Sequence, residues 1–438
     1  MVILAEGPIQ WTLMEETTMS AIWKYGRFFI GTWVVLAGIP IALMGGAWPI
    51  VYVVALALTA LIAELYSGRY EEEPAYEQAW IFYPIQYFSQ FVSIAMIILV
   101  AWYMGLPNDL FGIGATVTSI TGIDILARHA ELSTVWTTLS IVLLGGLAGA
   151  LASIAVGHEL THRTENPLAV FIGRLGEAFS LFTHFSIRHP YGHHNLVCTP
   201  ADPATARRGE NFYRFMVRSI IGQKKMTWDL EAERLQRMGQ SPWSWKNKAL
   251  RGWAMEFAVV VFFVWAAGLY GLLGILGVTL VTHIGLEAAN YIEHYGLVRV
   301  PTEPMQVRHA WNSNVTASYY ITVAISRHSH HHADASVEFW DLKAFRDEAP
   351  TTIYGYGISF LIALIPPLWN ELMAQKLLYW DYNMATPEER RLAMKENLES
   401  GIPDLVEAAK RYYASEGKTL PENPIAASAG RPRQLATA

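Results

Sequence analysis

At 438 residues the chain is long enough for two or three soluble domains, but its composition argues against that plan: 52% of residues are hydrophobic, only 16% are charged, and the mean hydropathy is +0.22. The single cysteine, Cys198, rules out a disulfide within the chain and any thiolate-ligated zinc or iron–sulfur site. A net charge of −6 is not that of a nucleic-acid binder, and 16 Trp with 21 Tyr suit a bilayer interface, where one end of the ring is apolar and the other wet.

Residues 1–27 lack a basic start and are interrupted by acids, so they do not read as a secretory signal. Lys24 and Arg27 precede the first apolar stretch and place this N-terminal segment in the cytoplasm. A bilayer crossing needs about 20 mostly apolar residues. Candidate spans follow at 28–46, 48–65, 80–103, 135–156, 253–272 and 273–291. Gly45, Gly46 and Pro49 join the first pair, and Gly271 and Gly274 the last, so each pair is predicted to be a tight helical hairpin. The stretch 105–133 carries only Arg128 and reads as an external loop. Residues 157–252 hold 14 Lys and Arg against 8 Asp and Glu, and read as cytoplasmic. The stretch 353–369, broken by Pro366 and Pro367, reads as interfacial or re-entrant. Within 381–418, Thr386 as N-cap, Pro387 at N1 and acids behind them start a soluble helix. Residues 419–438 are Pro/Ala-rich and read as linker or disordered tail. The expected fold is all-α: a six-span membrane body over 28–380, built of hairpins.

The 14 histidines obey this map: all but His129 lie between residues 158 and 332, mostly beyond the cytoplasmic ends of the fourth and sixth spans. Four clusters stand out: "HELTHR" with His158 and His162; "RHPYGHH" with His189, His193 and His194; "NYIEHYG" with His294; and "RHSHHH" with His328, His330, His331 and His332. On a helix, positions i and i+4 share a face and can grip one ion. Adjacent residues diverge by about 100°. The two His-His pairs therefore predict two metal ions rather than one. Pro190 and Gly192 make a regular helix through the second cluster doubtful. So many imidazoles exceed one four-coordinate zinc; they suit two larger shells, and iron is the natural redox candidate. His129, His309, His184 and His283 read as structural. Glu159 and Glu293, flanking ligands, and Asn290 and Asp202 are candidates to hold the second ring nitrogen of a ligating imidazole.

A zinc protease is one rival, because "HELTH" fits H-E-x-x-H with Glu159 as general base. It leaves most of the clustered histidines without a role. A metal transporter is another, but the spans are almost free of the ionisable residues that it would require.

The boxes HxxxH, HxxxHH and HxxHH after membrane hairpins resemble those of the membrane di-iron superfamily: alkane hydroxylases, xylene monooxygenases and fatty-acid desaturases. "NYIEHYGLVR", "HELTHR", "TPADPATARRGENFYRF" and "NSNVTASYYITVAISRHSHHH" are similar to the bacterial alkane 1-monooxygenase family in particular, over about residues 28–370. Alkane hydroxylases often carry Asp where this chain has His330, so His330 is set aside. The resemblance implies a di-iron site held by His158, His162, His189, His193, His194, His294, His328, His331 and His332, with no assignment of each histidine to one iron. It also implies dioxygen-dependent terminal hydroxylation of a medium- or long-chain alkane in the bacterial inner membrane, with xylene monooxygenase or desaturase as the alternative. Electrons are expected from rubredoxin, separate or fused, itself reduced by an NADH-dependent reductase. An acidic carrier of that kind would be steered to the basic run Arg207, Arg208, Arg214, Arg218, Lys224 and Lys225; the plainer reading of that run is contact with lipid headgroups.

Overall fold

The structure, a computed structural model, describes residues 23–106 and 108–417; the predicted tail 419–438 and most of the predicted segment 1–27 lie outside them. The described residues are all-helical, with two isolated β-bridges. In chain order the long helices are α1 (Trp23–Met44), α2 (Trp48–Tyr66), α3 (Ala79–Met104), the bent pair α4 (Leu110–Thr121) and α5 (Ile125–Leu132), α6 (Val135–His162), α7 (Pro167–Phe179), α8 (Phe212–Arg237) and α9 (Lys248–His294). They are followed by α10 (Tyr356–Ala363), α11 (Pro366–Asn383), α12 (Pro387–Glu399) and α13 (Pro403–Ser415). Among the described residues, α1, α2, α3, α6 and α9 are long and apolar enough to cross a membrane, and the bent pair makes a sixth candidate.

Exposure follows from the solvent these helices expect. Val51, Val54, Leu58, Ile62 and Leu65 form one stripe of α2 and are 52–58% exposed. Such a stripe would be an aggregation hazard in water; against lipid it is the ordinary outer face.

Helix α9 has 47 residues, about 70 Å if straight, more than twice a hydrocarbon core of about 30 Å. It breaks at Ala267 and Gly268, where Gly268 takes φ +56° and ψ −135°, a conformation that needs glycine. A Cβ on Gly271 would lie 1.9 Å from the Phe263 carbonyl oxygen. Eight residues of straight helix would separate the two by about 12 Å. The chain therefore doubles back, and the predicted hairpin is present. Its hinge is Gly268 rather than the 271–274 joint, and Gly271 is where the two arms touch.

The stretch 105–133, expected as an external loop, is largely helical: α4 and α5 meet at 106°. The stretch 353–369 is broken at Pro366, as its two prolines predict. Helix α10 ends before Ile365, and Pro366 starts α11, whose Trp369 is buried against Tyr291 and Tyr295.

Inside the bundle, Gln86, Ser89, Gln90 and Ser93 form a buried polar stripe on α3. It faces a π-helical turn of α6, Ala148–Ile154. A π turn frees carbonyls from the regular ladder. Ser93 Oγ donates to the Ala148 carbonyl at 2.9 Å, and Gln90 Nε2 donates to the carbonyls of Ala152 and Ser153 at 3.3 and 3.0 Å.

Residues 381–417 are fastened to the body. Thr386 and Glu389 form the expected capping box, with Pro387 at the first helical position. The same Glu389 accepts from Arg308 and pairs with His309 Nε2 at 2.6 Å. That contact explains His309 as a structural residue, as contacts with Leu43 and Ser133 explain His129.

Candidate metal centre

Four pieces of backbone end at one place. Helix α6 delivers His158 and His162 in its last turns, four apart and on one face. Helix α9 delivers His294 as its last residue. The second cluster is a π turn, His189–His193, running into a short helix from His194. Gly192 lets that turn press on α8, since a Cβ there would lie 2.6 Å from Met226 Sδ. In a π turn, residues five apart align, so His189 and His194 meet at 3.1 Å. The last piece is the short helix His328–Ala333. Asn312 Oδ1 accepts from Ser329 N at 2.8 Å, and Ser329 Oγ donates to the Ala310 carbonyl at 2.6 Å.

The nine imidazoles sort into two sets. His158, His162, His189, His194 and His331 form one; His193, His294, His328 and His332 form the other; within each set the candidate donor atoms lie within 4.8 Å of one another. Both His-His pairs are split, one member to each set, as the divergence of adjacent side chains predicts. His328 falls with His332, one turn on, at 2.9 Å.

A cation fits these residues better than hydrogen bonding does. The Nε2 atoms of His158, His162 and His193 have no hydrogen-bond partner among the described residues. The other six Nε2 atoms lie 2.9–3.1 Å from another Nε2. His194 and His328 each meet two such neighbours, yet an Nε2 carries either one proton or one lone pair and can satisfy only one. An ion accepting every lone pair removes the conflict. Burial first, and then the neighbouring imidazoles, hold His189, His194, His328, His331 and His332 well below the usual histidine range. They are therefore neutral and ready to ligate.

Three of the four predicted orienting groups touch the sets. Glu159 Oε1 lies 3.0 Å from His158 Nδ1, and its Oε2 accepts from Phe339 N at 3.2 Å. Asp202 Oδ2 lies 2.9 Å from His193 Nδ1. Burial alone would raise the Asp202 carboxyl, but His193, Arg188 and Thr205 bring it down to about 2. Glu293 Oε2 sits 3.2 Å from His328 Nε2, on the side facing the ion position, and Tyr356 Oη donates to its other oxygen at 3.0 Å. Asn290 is placed elsewhere, donating to Glu287 at 3.4 Å. Asn312 and Tyr356 escaped the sequence reading; only the "NSN" of the resembling stretch hinted at the first. Asp202→Asn should cost about 10–100-fold in metal retention or turnover, measured by elemental analysis and product formation. A wild-type result in both would mean that His193 needs no carboxylate behind it.

This geometry disposes of the protease. Glu159 is engaged behind His158 rather than on the open side of an ion, where a general base must stand. His184 and His283 flank Phe182 and belong to neither set.

The predicted basic docking run does not survive as a unit. Arg208 is buried and paired twice with Asp381 at 2.7 Å, so it cannot greet a partner. Arg218 is held by Glu210 at 2.7 Å. Arg207, Arg214, Lys224 and Lys225 are exposed. Along α8, Arg214, Lys224 and Lys225 border an exposed stripe of Tyr213, Val217 and Ile221. An apolar stripe rimmed by basic groups suits a helix lying at the bilayer surface.

An all-helical membrane chain with nine imidazoles converging on two foci is a histidine-rich membrane metalloprotein. A family model described as fatty acid desaturase matches residues 133–362. The chain is 31% identical over 379 residues to the alkane 1-monooxygenase of Ectopseudomonas oleovorans, covering 84% of both. It is 37% identical over 246 residues to that of Acinetobacter baylyi, covering 54% of this chain and 59% of that protein. It is also 36% identical over 271 residues to the xylene/toluene monooxygenase hydroxylase component of Pseudomonas putida, covering 60% of this chain and 70% of that one. The chain belongs to the alkane 1-monooxygenase family, within the broader fatty acid desaturase group.

Proposed function

We propose that this chain hydroxylates the terminal carbon of a medium- or long-chain n-alkane, converting alkane, dioxygen, two electrons and two protons into primary alcohol and water. The observation that carries the reading is the pair of nitrogen-only sets, five and four imidazoles, at the end of an apolar bundle. Two irons, held by His158, His162, His189, His194 and His331 and by His193, His294, His328 and His332, would supply dioxygen activation.

The rest is work for the chain's own residues. An alkane offers no hydrogen-bonding handle, so apolar walls must select it. Phe185 stacks on His189 at 4.6 Å and packs with Ile154 and Phe182, laying an apolar surface against the first set. That surface excludes water and receives a methyl end arriving from the bilayer. End-on approach favours the terminal carbon by position. We assign the metal end to the cytoplasmic side of a bacterial inner membrane: with α4 and α5 kept out of the count, α1, α2, α3, α6 and the two arms of α9 make six crossings, and the basic excess of 157–252 supports this side. Rubredoxin reduced by an NADH-dependent reductase is the electron donor that family membership favours.

The test is product analysis with n-alkane, rubredoxin, reductase and NADH, together with metal analysis. The expected result is dioxygen-dependent primary alcohol and two irons per chain. Secondary alcohol in excess would contradict end-on approach, an acyl double bond would point to a desaturase, and one zinc without iron would sink the reading.

A further inference from the structure

We infer that a groove at the metal end of α6, α7 and α9 is a binding site for an anionic phospholipid. The groove holds about 580 Å³, and Arg174, Lys248 and Arg251 share its lining with Val170, Phe171 and Met255. None of the cations forms an ion pair among the described residues. Arg174 donates to Ser186 Oγ at 2.9 Å, and Lys248 Nζ lies 5.8 Å from the Tyr191 ring centroid. Of the carboxylates that act on them, Glu177 is fully buried, and Glu231 is already occupied by Arg234 at 2.7 Å and by the Lys248 backbone N–H. Three cations around one cleft repel each other, and an anion relieves them.

The apolar part of the lining says which anion. Phe171 is 55% exposed, on a chain whose outward apolar faces meet lipid. A soluble anion gains nothing from Phe171, Val170 and Met255, whereas a phospholipid places its phosphate on the cations and its acyl chain against these neighbours. The depth is right. Helix α6 ends at His162 and α9 begins at Lys248, so the groove sits where two spans leave the hydrocarbon. Trp243 and Trp245, 75% and 74% exposed just before α9, mark the same interface level. Basic pockets between spans are where anionic headgroups bind. Charge complementarity thus commits the groove to an anionic lipid over a zwitterionic one. The inference rests on the membrane setting and not on the metal chemistry, so the two can fail separately.

The probe is dioleoyl phosphatidylglycerol against dioleoyl phosphatidylcholine, titrated into the full-length detergent-purified protein and counted by native mass spectrometry. The wild type should retain one phosphatidylglycerol when phosphatidylcholine has washed off. Lys248→Gln or Arg251→Gln should each weaken that retention about 5-fold, and the double variant about 25-fold. Arg207→Gln, an exposed cation outside the groove, should leave it unchanged. If the double variant fails to fold, the single variants carry the test. Equal loss in Arg207→Gln would reduce the effect to diffuse headgroup attraction and overturn the site, as would full retention in the groove variants. Unchanged lipid retention with a raised demand for an acidic electron carrier in lipid-free detergent would assign the groove to a protein partner instead.

Discussion

Alanine in place of His294 should abolish alcohol formation and remove the ion of the four-imidazole set, while alanine in place of His330 should leave both iron content and turnover near those of the parent. His294 is the sole contribution of α9 to either set, and its Nε2 lies 3.1 Å from that of His328. With it gone, three imidazoles remain, and the nearest other histidine ring, His194 at 4.3 Å from that of His332, is already a member of the other set. His330 has different work. Its Nδ1 accepts from Lys343 N at 2.8 Å and its ring meets Phe345 edge-on at 5.0 Å, so it ties the short helix to the following loop. Elemental analysis and product formation on both variants decide the matter. Equal losses would make His330 a ligand and the two sets wrongly drawn.

The second large effect is on stability. Arg208→Ala should lower stability by about 3–5 kcal/mol, because it leaves the Asp381 carboxylate buried without its partner. It also removes donors to the Gly296 carbonyl at 2.8 Å and to Asn397 Oδ1 at 2.6 Å. The neighbouring residue tightens the same joint. Gly209 has φ +78°, and a Cβ on it would lie 1.9 Å from the Ser400 carbonyl oxygen. The expected readout is a lower detergent melting temperature and poor yield, with no specific change in electron-carrier demand in whatever folds. Arg207→Ala, one residue away and exposed, should stay within about 0.5 kcal/mol of the parent. Equal behaviour of the two variants would show that the Asp381 pair contributes nothing.

That contrast shows what the sequence could and could not reveal. The splitting of each His-His pair between two sets was legible because adjacent side chains diverge; which set each histidine joins was not, since that depends on how four separate pieces of backbone meet. The spans were legible because each carries its own apolar signal. Arg208 was not, since its partner lies 173 residues away and a basic residue in a basic run carries no mark of burial. The hinge at Gly268 was not read, and the joint was placed at Gly271 and Gly274, because glycines in an apolar run do not announce which one turns and which one touches. The π turns at 148–154 and 189–193 left only indirect traces: a polar stripe in an otherwise apolar α3, and a Pro-Tyr-Gly interruption between histidines.

The short helix His328–Ala333 gives the last member to both sets. During synthesis, then, the five-imidazole set lacks its last member until residue 331 has been made, and the four-imidazole set until residue 332, after α1 to α9. Four members of the first set, His158, His162, His189 and His194, precede α9, whereas the second has only His193 by then. One short helix, made after the membrane body, therefore completes both sets within two residues.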